Sequence, residues 1–412
     1  MEHLHVGEAL SVILGSVTPL GTELMRLEHS LGRVLAEDIS ANRDLPPYAV
    51  SAMDGFAVRS ADVAVVPVQL AIIEDIKAGD MPSKTVQAGQ CARIMTGAPL
   101  PPGADAVIRV EDTEEASANS VRIGKAVKPG NDVRPQGENM RNGDVVLRIG
   151  TEITPGVIGV LATVKAAQFA VCSRPRVAIL STGNELEGMN DPVDPNKIPD
   201  SNTYALMAQV QALGIEPVLL GIARDDPAEL EQYLRRGLQY DVLLVSGGTS
   251  VGVHDYVRPT IEKLGVEMKF WRVAIRPGHP LAFGMHGNKA VFGLPGNPVS
   301  SMVCFEEFVL PALRCMMGNP RLYRRTVTAR LDHALKFRPG RTEFVRVQLT
   351  HDDAGYIASS TGTQSSGVLL SMAKADGLLV VPADSEGLAE GEQVTVQLLD
   401  GTVFQADMGF RE

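Results

Sequence analysis

The chain has 412 residues, of which 44% are hydrophobic and 21% charged, and its net charge is −11. This length exceeds one ordinary core and predicts about two to four domains of a soluble globular protein. The negative charge argues against a nucleic-acid binder and against a protein of anionic membrane surfaces.

The cysteines and the N-terminus indicate a reducing compartment. None of the four cysteines forms a CxxC pair, which argues against a disulfide framework and against a zinc site. The N-terminal stretch MEHLHVGEAL lacks the features of a signal peptide, and no apolar run reaches membrane-spanning length. We therefore expect a cytoplasmic protein.

The first part of the chain reads as a β domain between two helices. Apolar residues at helical spacing predict an amphipathic helix over residues 5–17. A second helix is predicted over residues 157–164, because Thr154 is a favoured N-cap and Pro155 a favoured first helical residue. Short β-rich runs with Gly and Pro turns lie between them, and we expect the two helices to pack together beside this insertion.

Alternating strands and helices after residue 173 predict a mostly parallel, doubly wound sheet. The predicted strands cover residues 177–180, 217–222, 242–245, 270–275 and 290–293. The predicted helices cover residues 203–213, 227–238 and 256–264, the first of them capped by Ser201 or Asn202. Residues 321–412 are β-rich again and predict a small barrel or sandwich with one short helix over 368–373.

Polar motifs follow the five predicted strands of the α/β segment. They are STGNE at 181–185, RDD at 224–226, SGGTSVG at 246–252, RPGH at 276–279 and LPGNP at 294–298. Ligands of parallel α/β sheets bind beyond the carboxyl ends of the strands. Five such loops at one edge of one sheet predict a ligand site more strongly than any single loop does.

The stretch DVLLVSGGTSVGVHDY at 241–256 is the most informative of these motifs. A buried strand runs into a glycine-rich turn, and glycines at positive φ can direct several backbone N–H groups at an anion. A tight strand-to-helix turn explains Gly247 and Gly248 equally well. The motif is neither a Walker loop nor the GxGxxG fingerprint.

Three carboxylates come directly after predicted strands, namely Glu185, Asp225 and Asp255. Carboxylate oxygens suit Mg²⁺, which bridges to substrate phosphates. We expect one residue of the pair Asp225 and Asp226 to cap the next helix and to leave the other free, and a capping role explains Asp255 equally well. Glu185 has no helix start beside it that demands a carboxylate.

Basic and rigid residues complete the candidate set. Arg276 and His279 suit an anionic ligand, although a lone histidine is more often an ordinary polar residue. Residues 295–298 form a stiff turn before a helix that begins near Val299, which favours either an anion contact at a helix N-terminus or a rigid loop only. In the β insertion, the loops AMDGFA (52–57) and MTGAP (95–99) present Asp54 and Thr96.

Taken together, these segments resemble the molybdopterin molybdenumtransferases, the MoeA and gephyrin E-domain family. The matching segments run nearly from end to end and are PPYAVSAMDGFAV (46–58), RIMTGAPLPPGADAVIRVED (93–112), VRPQGENMRNGD (133–144), RPRVAILSTGNEL (174–186), IPDSNTYALMAQVQALG (198–214), RDDPAEL (224–230), SGGTSVGVHDY (246–256), RPGHPLAFG (276–284), GLPGNPVSS (293–301) and SSGVLLSMAKADGLLVVP (365–382). So many motifs in the same order make the resemblance highly specific.

The resemblance implies a multidomain α/β plus β fold. A helical domain is built from residues 1–42 and 145–172, and a β domain of residues 43–144 is inserted into it. A central, doubly wound α/β domain of residues 173–320 binds molybdopterin, and a C-terminal β-barrel-like domain covers residues 321–412.

The resemblance also implies an activity. Members of the family take adenylylated molybdopterin and molybdate, insert molybdenum into the dithiolene, and release AMP in a step that depends on Mg²⁺. This is the last step of molybdenum cofactor biosynthesis. They work as homodimers with a cleft shared between subunits, and the adenylyltransferase and apo-molybdoenzymes are the expected partners.

The positions that the resemblance carries over fall into three groups. The catalytic residues are expected to be Asp54, Thr96, Glu185 and Asp255, and the Mg²⁺ ligands Glu185, Asp225 and Asp255. The substrate-binding residues are expected to be Gly247, Gly248, Thr249, Ser250, Gly252, Arg276, Pro295, Gly296, Asn297 and Pro298. Many relatives have lysine at positions 276 and 279; Arg276 keeps the charge, whereas His279 can be neutral at pH 7.

Two other functions stay open at this stage. The related molybdopterin adenylyltransferase shares the α/β domain and the glycine turn, but it is a compact single domain, which the β insertion and the C-terminal domain disfavour. A non-catalytic scaffold of the same fold is disfavoured by the carboxylates that this chain retains at positions 54, 185, 225 and 255. Release of AMP from adenylylated molybdopterin separates these alternatives.

Overall fold

The computed structural model describes residues 3–248 and 256–399, except the side chains of Glu115 and Ala116. Two compact units are present, of which one consists of Arg26–Leu31 and Glu37–Phe169 and the other of the remaining described residues. The domain boundaries drawn from the sequence stay a prediction. Among the described residues, no helix has the length and apolar composition that a membrane span requires.

Most of the helices lie where the sequence predicts them, and the exception is the helix over 310–316, which was not predicted. The described residues form α1 (Val6–Ser16), α2 (Pro155–Thr163), α3 (Ser201–Gln211), α4 (Pro227–Gly237), α5 (Val257–Lys263), α6 (Pro298–Cys304), α7 (Leu310–Met316) and α8 (Leu369–Ala373). A π-helical turn, Phe305–Val309, joins α6 to α7, and short 3₁₀ helices cover Leu27–His29, Ser60–Val63 and Val110–Asp112. Thr154 caps α2 as predicted. The predicted cap of α3 is wrong, because the residue that accepts from its first turn is Asp200.

A six-stranded sheet forms the centre of the second unit. Its strands are β1 (Val177–Thr182), β2 (Val218–Ala223), β3 (Val242–Ser246), β4 (Glu267–Phe270), β5 (Ala282–His286) and β6 (Lys289–Leu294). They lie in the order β2-β1-β3-β6-β5-β4, in which the first four strands are parallel and β5 is antiparallel to both of its neighbours, β6 and β4. Every residue of β1 and β3 is buried, as expected for strands covered by helices on both faces. The predicted doubly wound sheet is confirmed.

One predicted strand of this sheet is wrong. The apolar run at 270–275 does not continue as a sheet strand, because β4 ends at Phe270 and a separate short strand, Ile275–Arg276, pairs with the C-terminal barrel. Val273, Ala274 and Ile275 are buried in the core. Their hydrophobicity therefore reports burial and not membership of the central sheet.

Helix α1 belongs to the core of the α/β unit. Its buried residues Ala9 and Ile13 pack in one cluster with Phe305, Phe308 and Leu313 of the helical stretch from α6 to α7. The backbone N–H of Leu20 donates to the carbonyl of Met316 at 2.8 Å and fixes the end of this contact. We expected α1 to pack with the second helix; its buried face packs on the α/β core instead.

The C-terminal strands close into a barrel, which decides between the two predicted architectures. They are Ile275–Arg276, Thr326–Leu331, Thr342–Asp352, Gly355–Ser360, Gly377–Val381 and Gln393–Leu398, with a small pair of Leu335–Lys336 and Gly387–Leu388 beside them. The long strand Thr342–Asp352 pairs on one edge with Gly355–Ser360 and on the other with Gly377–Val381. Because the remaining strands join those two, the hydrogen-bonded ring is complete.

The other unit is built on a six-stranded β-sheet around Phe56, in agreement with the predicted β insertion. Its strands, in spatial order, are Ala106–Arg109, Gly55–Val58, Gln90–Ile94, Val68–Ile76, Ser120–Ile123 and Thr113–Ser117. The small strands are Ile39–Ser40, Val50–Ser51, Val133–Arg134 and Val145–Leu147 in this unit, Leu186–Glu187 and Ile198–Pro199 in the other, and Thr22–Arg26 and Gln168–Cys172 at the points where the chain passes between units.

Candidate functional site

Four loops leave the carboxyl edge of the parallel strands side by side. The strands end at Thr182, Ala223, Ser246 and Leu294. The register pairs Ser181 with Ser246 and Ser246 with Leu294, so three of these ends are level. The predicted fifth motif does not follow a strand of this sheet, because Arg276 lies in a short strand that pairs with Glu343 of the barrel. Four of the five predicted motifs therefore follow strands of the central sheet.

The glycine turn after β3 is shaped by close packing. Gly247 and Gly248 have φ of 91° and 62°. A Cβ on Gly247 would lie 2.5 Å from the carbonyl oxygen of Thr182, and one on Gly248 would lie 2.1 Å from Cγ2 of Val257. Packing alone therefore requires glycine at both positions. The buried hydroxyl of Thr182 lies against both glycines and has no hydrogen-bond partner among the described residues, so it can bond a group held in the turn.

We expect Gly248→Ala to lower the free energy of unfolding by about 2 kcal/mol or more, because the new Cβ combines a positive φ with a clash. Gly296→Ala is the matched control, since its Cβ would lie 3.7 Å from the Cα of Gly247, an ordinary contact. It should cost less than about 0.5 kcal/mol. Urea denaturation of the two variants measures both values, and equal stabilities would contradict the packing requirement at Gly248.

The loops after β1 and β2 are joined by a reciprocal pair of hydrogen bonds. The Asn184 N–H donates to Oδ2 of Asp225 at 3.3 Å, and the Asp225 N–H donates to Oδ1 of Asn184 at 3.2 Å. The neighbouring Asp226 caps α4 by accepting from Ala228 and Glu229 at 3.0 and 2.8 Å. The predicted division of the two aspartates is confirmed, and Asp225 keeps its carboxylate beside the β1 loop.

Glu185 offers a second carboxylate, which is exposed, in the loop that the Asn184–Asp225 bonds hold. It folds back over Gly183, where a Cβ would meet its two oxygens at 2.5 and 2.7 Å. In the described part of the chain, its carboxylate has no hydrogen-bond partner, and no three His, Cys, Asp or Glu side chains converge on one point. Two carboxylates on neighbouring loops are nevertheless the hard oxygen donors that Mg²⁺ takes. The predicted third ligand, Asp255, lies outside the described residues, as do Thr249, Ser250 and Gly252.

The Pro-Gly-Asn-Pro turn is tied to the barrel. Asn297 occupies the N-cap of α6, yet its side chain does not cap the helix and donates to Oγ of Ser366 at 3.0 Å instead. Pro298 is the first helical residue, which confirms the predicted helix start. The Val299 N–H donates to the Ser366 carbonyl at 3.1 Å, so this N–H is not free for an anion. Pro295 is buried and Gly296 is exposed beside the glycine turn.

Arg276 and His279 differ in charge. Arg276 forms an ion pair with Glu343 at 2.7 Å, and burial raises the pKa of Glu343 more than Arg276 lowers it. His279 is half-buried, with its Nδ1 2.8 Å from the Val273 carbonyl. Burial lowers the pKa of His279 below the usual value for histidine, so the ring is neutral at pH 7. Only Arg276 of this pair offers a positive charge to an anion.

Arg346 is a functional candidate that the sequence reasoning missed. Its side chain is only 1% exposed, yet its bonds go to Oγ of Ser371 at 3.2 Å and to the Ser365 carbonyl at 3.3 Å, and no carboxylate among the described residues pairs with it. Burial lowers the pKa of Arg346 to about 10, so it stays charged at pH 7. A buried cation without a counter-ion is costly, and an anion bound beside it would remove that cost.

Position supports this view of Arg346. The loop at residues 365–366 that accepts from Arg346 also holds Asn297 and Val299 at the start of α6. The buried guanidinium is therefore one loop away from the Pro-Gly-Asn-Pro turn. An arginine inside the apolar run FVRV at 344–347 was the available sequence signal, because a charge at a buried strand position needs a reason.

Asp54 and Thr96 are in contact in the β unit, although their loops are more than forty positions apart in the sequence. Oδ1 of Asp54 accepts from the Thr96 N–H at 2.7 Å and from the Thr96 hydroxyl at 2.9 Å. These bonds hold the pKa of Asp54 below its ordinary value, the backbone bond contributing most. Both side chains are exposed, so the structure presents a fixed, ionised carboxylate to solvent.

Family comparisons cover most of the chain. Residues 4–164 match the MoeA N-terminal region (domain I and II), residues 178–315 a probable molybdopterin binding domain, and residues 328–399 the MoeA C-terminal region (domain IV).

Individual relatives agree with the family matches. The chain is 32% identical over 410 residues to a molybdopterin molybdenumtransferase of Staphylococcus epidermidis, covering 98% of each chain. It is 35% identical over 386 residues to a molybdopterin molybdenumtransferase of Bacillus subtilis, covering 92% of this chain and 90% of the relative. Among solved structures, a molybdopterin biosynthesis moeA protein from Pyrococcus horikoshii OT3 superimposes with a TM-score of 0.84 at 31% identity, over 97% of this chain and all of that one.

Proposed function

The chain belongs to the MoeA family of molybdopterin molybdenumtransferases, and we propose that it catalyses the conversion of adenylylated molybdopterin and molybdate into molybdenum cofactor with release of AMP. Its role is a late step of molybdenum cofactor biosynthesis. The adenylyltransferase is not favoured, because the family matches extend over the N-terminal and C-terminal regions as well as the α/β domain.

The observation that carries the proposal is the arrangement of loops at the carboxyl edge of the α/β sheet. The positive-φ turn of Gly247 and Gly248 lies against the Gly296 loop, and the Asn184–Asp225 pair joins the loops that follow β1 and β2. This arrangement offers the unpartnered hydroxyl of Thr182 at the glycine turn to a phosphate, with carboxylates beside it. A pyrophosphate that links a pterin to AMP fits such an edge.

The residues of the chain divide the work of the reaction. Arg346, which bonds the 365–366 loop that also holds the start of α6, supplies positive charge for molybdate, a dianion, and Arg276 is the second positive charge that we assign to this anion. Glu185, Asp225 and Asp255 are the residues that would hold Mg²⁺, which would neutralise the negative charge of the phosphates. Asp54, fixed and ionised by Thr96, can orient a water molecule for attack on the phosphoanhydride. The bond that breaks joins AMP to the pterin phosphate, and AMP leaves.

The experiment that tests the function uses the purified full chain. Incubation with adenylylated molybdopterin, Mg²⁺ and molybdate should release AMP, and omission of molybdate should slow the release. An adenylyltransferase would instead consume ATP and molybdopterin, and a scaffold would release no AMP. Either of the last two results would overturn the proposal.

The proposed enzyme is a homodimer in which Asp54 of one subunit serves the site of the other. Asp54→Ala and Asp255→Ala chains, each inactive alone, should regain about a quarter of wild-type activity when mixed and allowed to exchange. Random exchange makes about half the dimers hybrid, and each hybrid keeps one intact site of two. AMP release measures the recovery.

A mixture of Asp54→Ala with Thr96→Ala chains is the matched control. These residues lie on the same side of the proposed shared site, so no hybrid has an intact site and the mixture should stay inactive. Recovery in both mixtures, or in neither after exchange is complete, would contradict the shared site.

The cytoplasmic location and the partner proteins stay predictions.

A further inference from the structure

Asn202 bonds two of the site loops at once. It is the second residue of α3, and its side-chain amide donates to Oγ of Ser246 at 2.8 Å and to the carbonyl of Gly296 at 2.8 Å. Ser246 is the last residue of β3 before the glycine turn, and Gly296 lies in the turn after β6. One planar amide thus uses both of its hydrogens on two different loops.

The local sequence leaves Asn202 free for this contact. Asp200, Ser201 and Asn202 are three good capping residues in a row, and Asp200 takes the capping role through the N–H and hydroxyl of Thr203 at 3.1 and 2.6 Å. Asp200 is itself fixed by the buried hydroxyl of Ser181 at the end of β1. The start of α3 is therefore held against the sheet, and Asn202 reaches from a rigid base.

The two segments that Asn202 joins also meet at their base. The Gly247 N–H donates to the Leu294 carbonyl at 3.1 Å, at the root of both turns. Gly296 lies further along its turn, where a Cβ on it would be 3.7 Å from the Cα of Gly247. Asn297 and Val299 tie the far end of this turn to Ser366 of the barrel, whereas Asn202 ties the Gly296 carbonyl to Ser246 at the base of the glycine turn.

We propose that Asn202 is a positioning residue that holds the glycine turn after Ser246 and the Gly296 turn at the separation required for the pterin phosphate. This inference rests on the proposed function and adds a residue to it. Asn202 does not need to touch the substrate, because it acts through the two loops that do. Displacement of such loops by about 1 Å can slow catalysis by about a hundredfold.

Amide hydrogen exchange tests the clamp without any substrate. Asn202→Ala should raise the exchange rate of the segments around residues 246–248 and 293–298, because both lose a tether. Gln211→Ala is the matched control: it removes an exposed amide of the same helix that donates to the Glu216 carboxylate at 3.2 Å, and it should leave both segments unchanged. Unchanged exchange in the folded Asn202→Ala variant would overturn the clamp.

Kinetics of AMP release test the positioning role. Asn202→Ala should lower kcat about 10- to 100-fold with a smaller change in KM, while the unfolding temperature stays close to that of the Gln211→Ala control. If the clamp acts partly through Ser246, adding Ser246→Ala to Asn202→Ala should cost less than Ser246→Ala costs alone. Fully additive losses, or a fall in stability without a fall in kcat, would overturn the role.

The two assays separate the inference from the function on which it rests. Faster exchange in Asn202→Ala together with a wild-type chain that releases no AMP would refute the proposed function and leave the clamp in place. An active wild type with an Asn202→Ala variant of equal kcat would refute the positioning role alone.

Discussion

Replacement of Asp255 by alanine is expected to lower the rate of AMP release by about a thousandfold or more and to leave the unfolding temperature unchanged. Asp255 follows the glycine turn and is the third carboxylate of the proposed Mg²⁺ set, so its loss removes several kcal/mol of transition-state stabilisation. Mg²⁺ titration followed by calorimetry gives a second readout, in which the variant should bind the ion more weakly.

The competing explanation for Asp255 was a helix cap. The N-cap of α5 is Tyr256, which makes no side-chain cap bond, so alanine at position 255 removes no such bond from that position. Asp226 is the matched control, because it does cap a helix. Asp226→Ala should cost about 1 kcal/mol of stability and leave AMP release largely intact. If Asp255→Ala behaved like Asp226→Ala, its role would be structural.

The second large effect is expected at Arg346. Arg346→Met should raise the molybdate concentration for half-maximal rate about 10- to 150-fold, the range for losing one charge-assisted contact to an anion. Stability should stay within about 1 kcal/mol of the wild type, because the lost hydrogen bonds to Ser371 and Ser365 are offset by removal of an unpaired buried charge. Initial rates over a molybdate series and urea denaturation give the two values.

Arg330 provides the control for Arg346. It lies on the same barrel and forms a half-exposed ion pair with Asp352 at 2.6 Å. Arg330→Met should change neither the molybdate dependence nor stability by much, since exposed pairs contribute little. An Arg346→Met chain with a lowered free energy of unfolding but an unchanged molybdate dependence would identify Arg346 as a structural residue.

The sequence predicts elements well where the local signal and the tertiary packing agree. Thr154-Pro155 and Asp226-Pro227 begin their helices as predicted, because cap and first-turn residues act locally. The segment 270–275 fails because an apolar run reports burial and does not tell which sheet receives it. Helix α1 fails in the same way, since its amphipathic pattern gives a buried face but not the partner of that face.

The site follows a similar division. Motifs at strand ends could be placed together because parallel strands bring their carboxyl ends to one edge. The contacts of Asn202 and Arg346 could not, because they join residues far apart in the chain: Asn202 with Gly296, and Arg346 with Ser371. Capping propensity and strand alternation describe neighbours along the chain and carry no record of such pairs.

The position of α1 makes the order of synthesis matter. The helix leaves the ribosome among the first residues, but the helical stretch that covers Ala9 and Ile13 begins only at Phe305. At about 5–20 residues per second, the chain between Ser16 and Phe305 takes roughly 15 to 60 s to make. During that time the apolar face of α1 lacks its native packing partners in this stretch. The exposed face can then bind chaperones or lead to aggregation of the nascent chain. The core of the α/β unit is thus completed only after residues 305–313 have been made, and a product that stops before Phe305 lacks the helical residues Phe305, Phe308 and Leu313 that pack with Ala9 and Ile13.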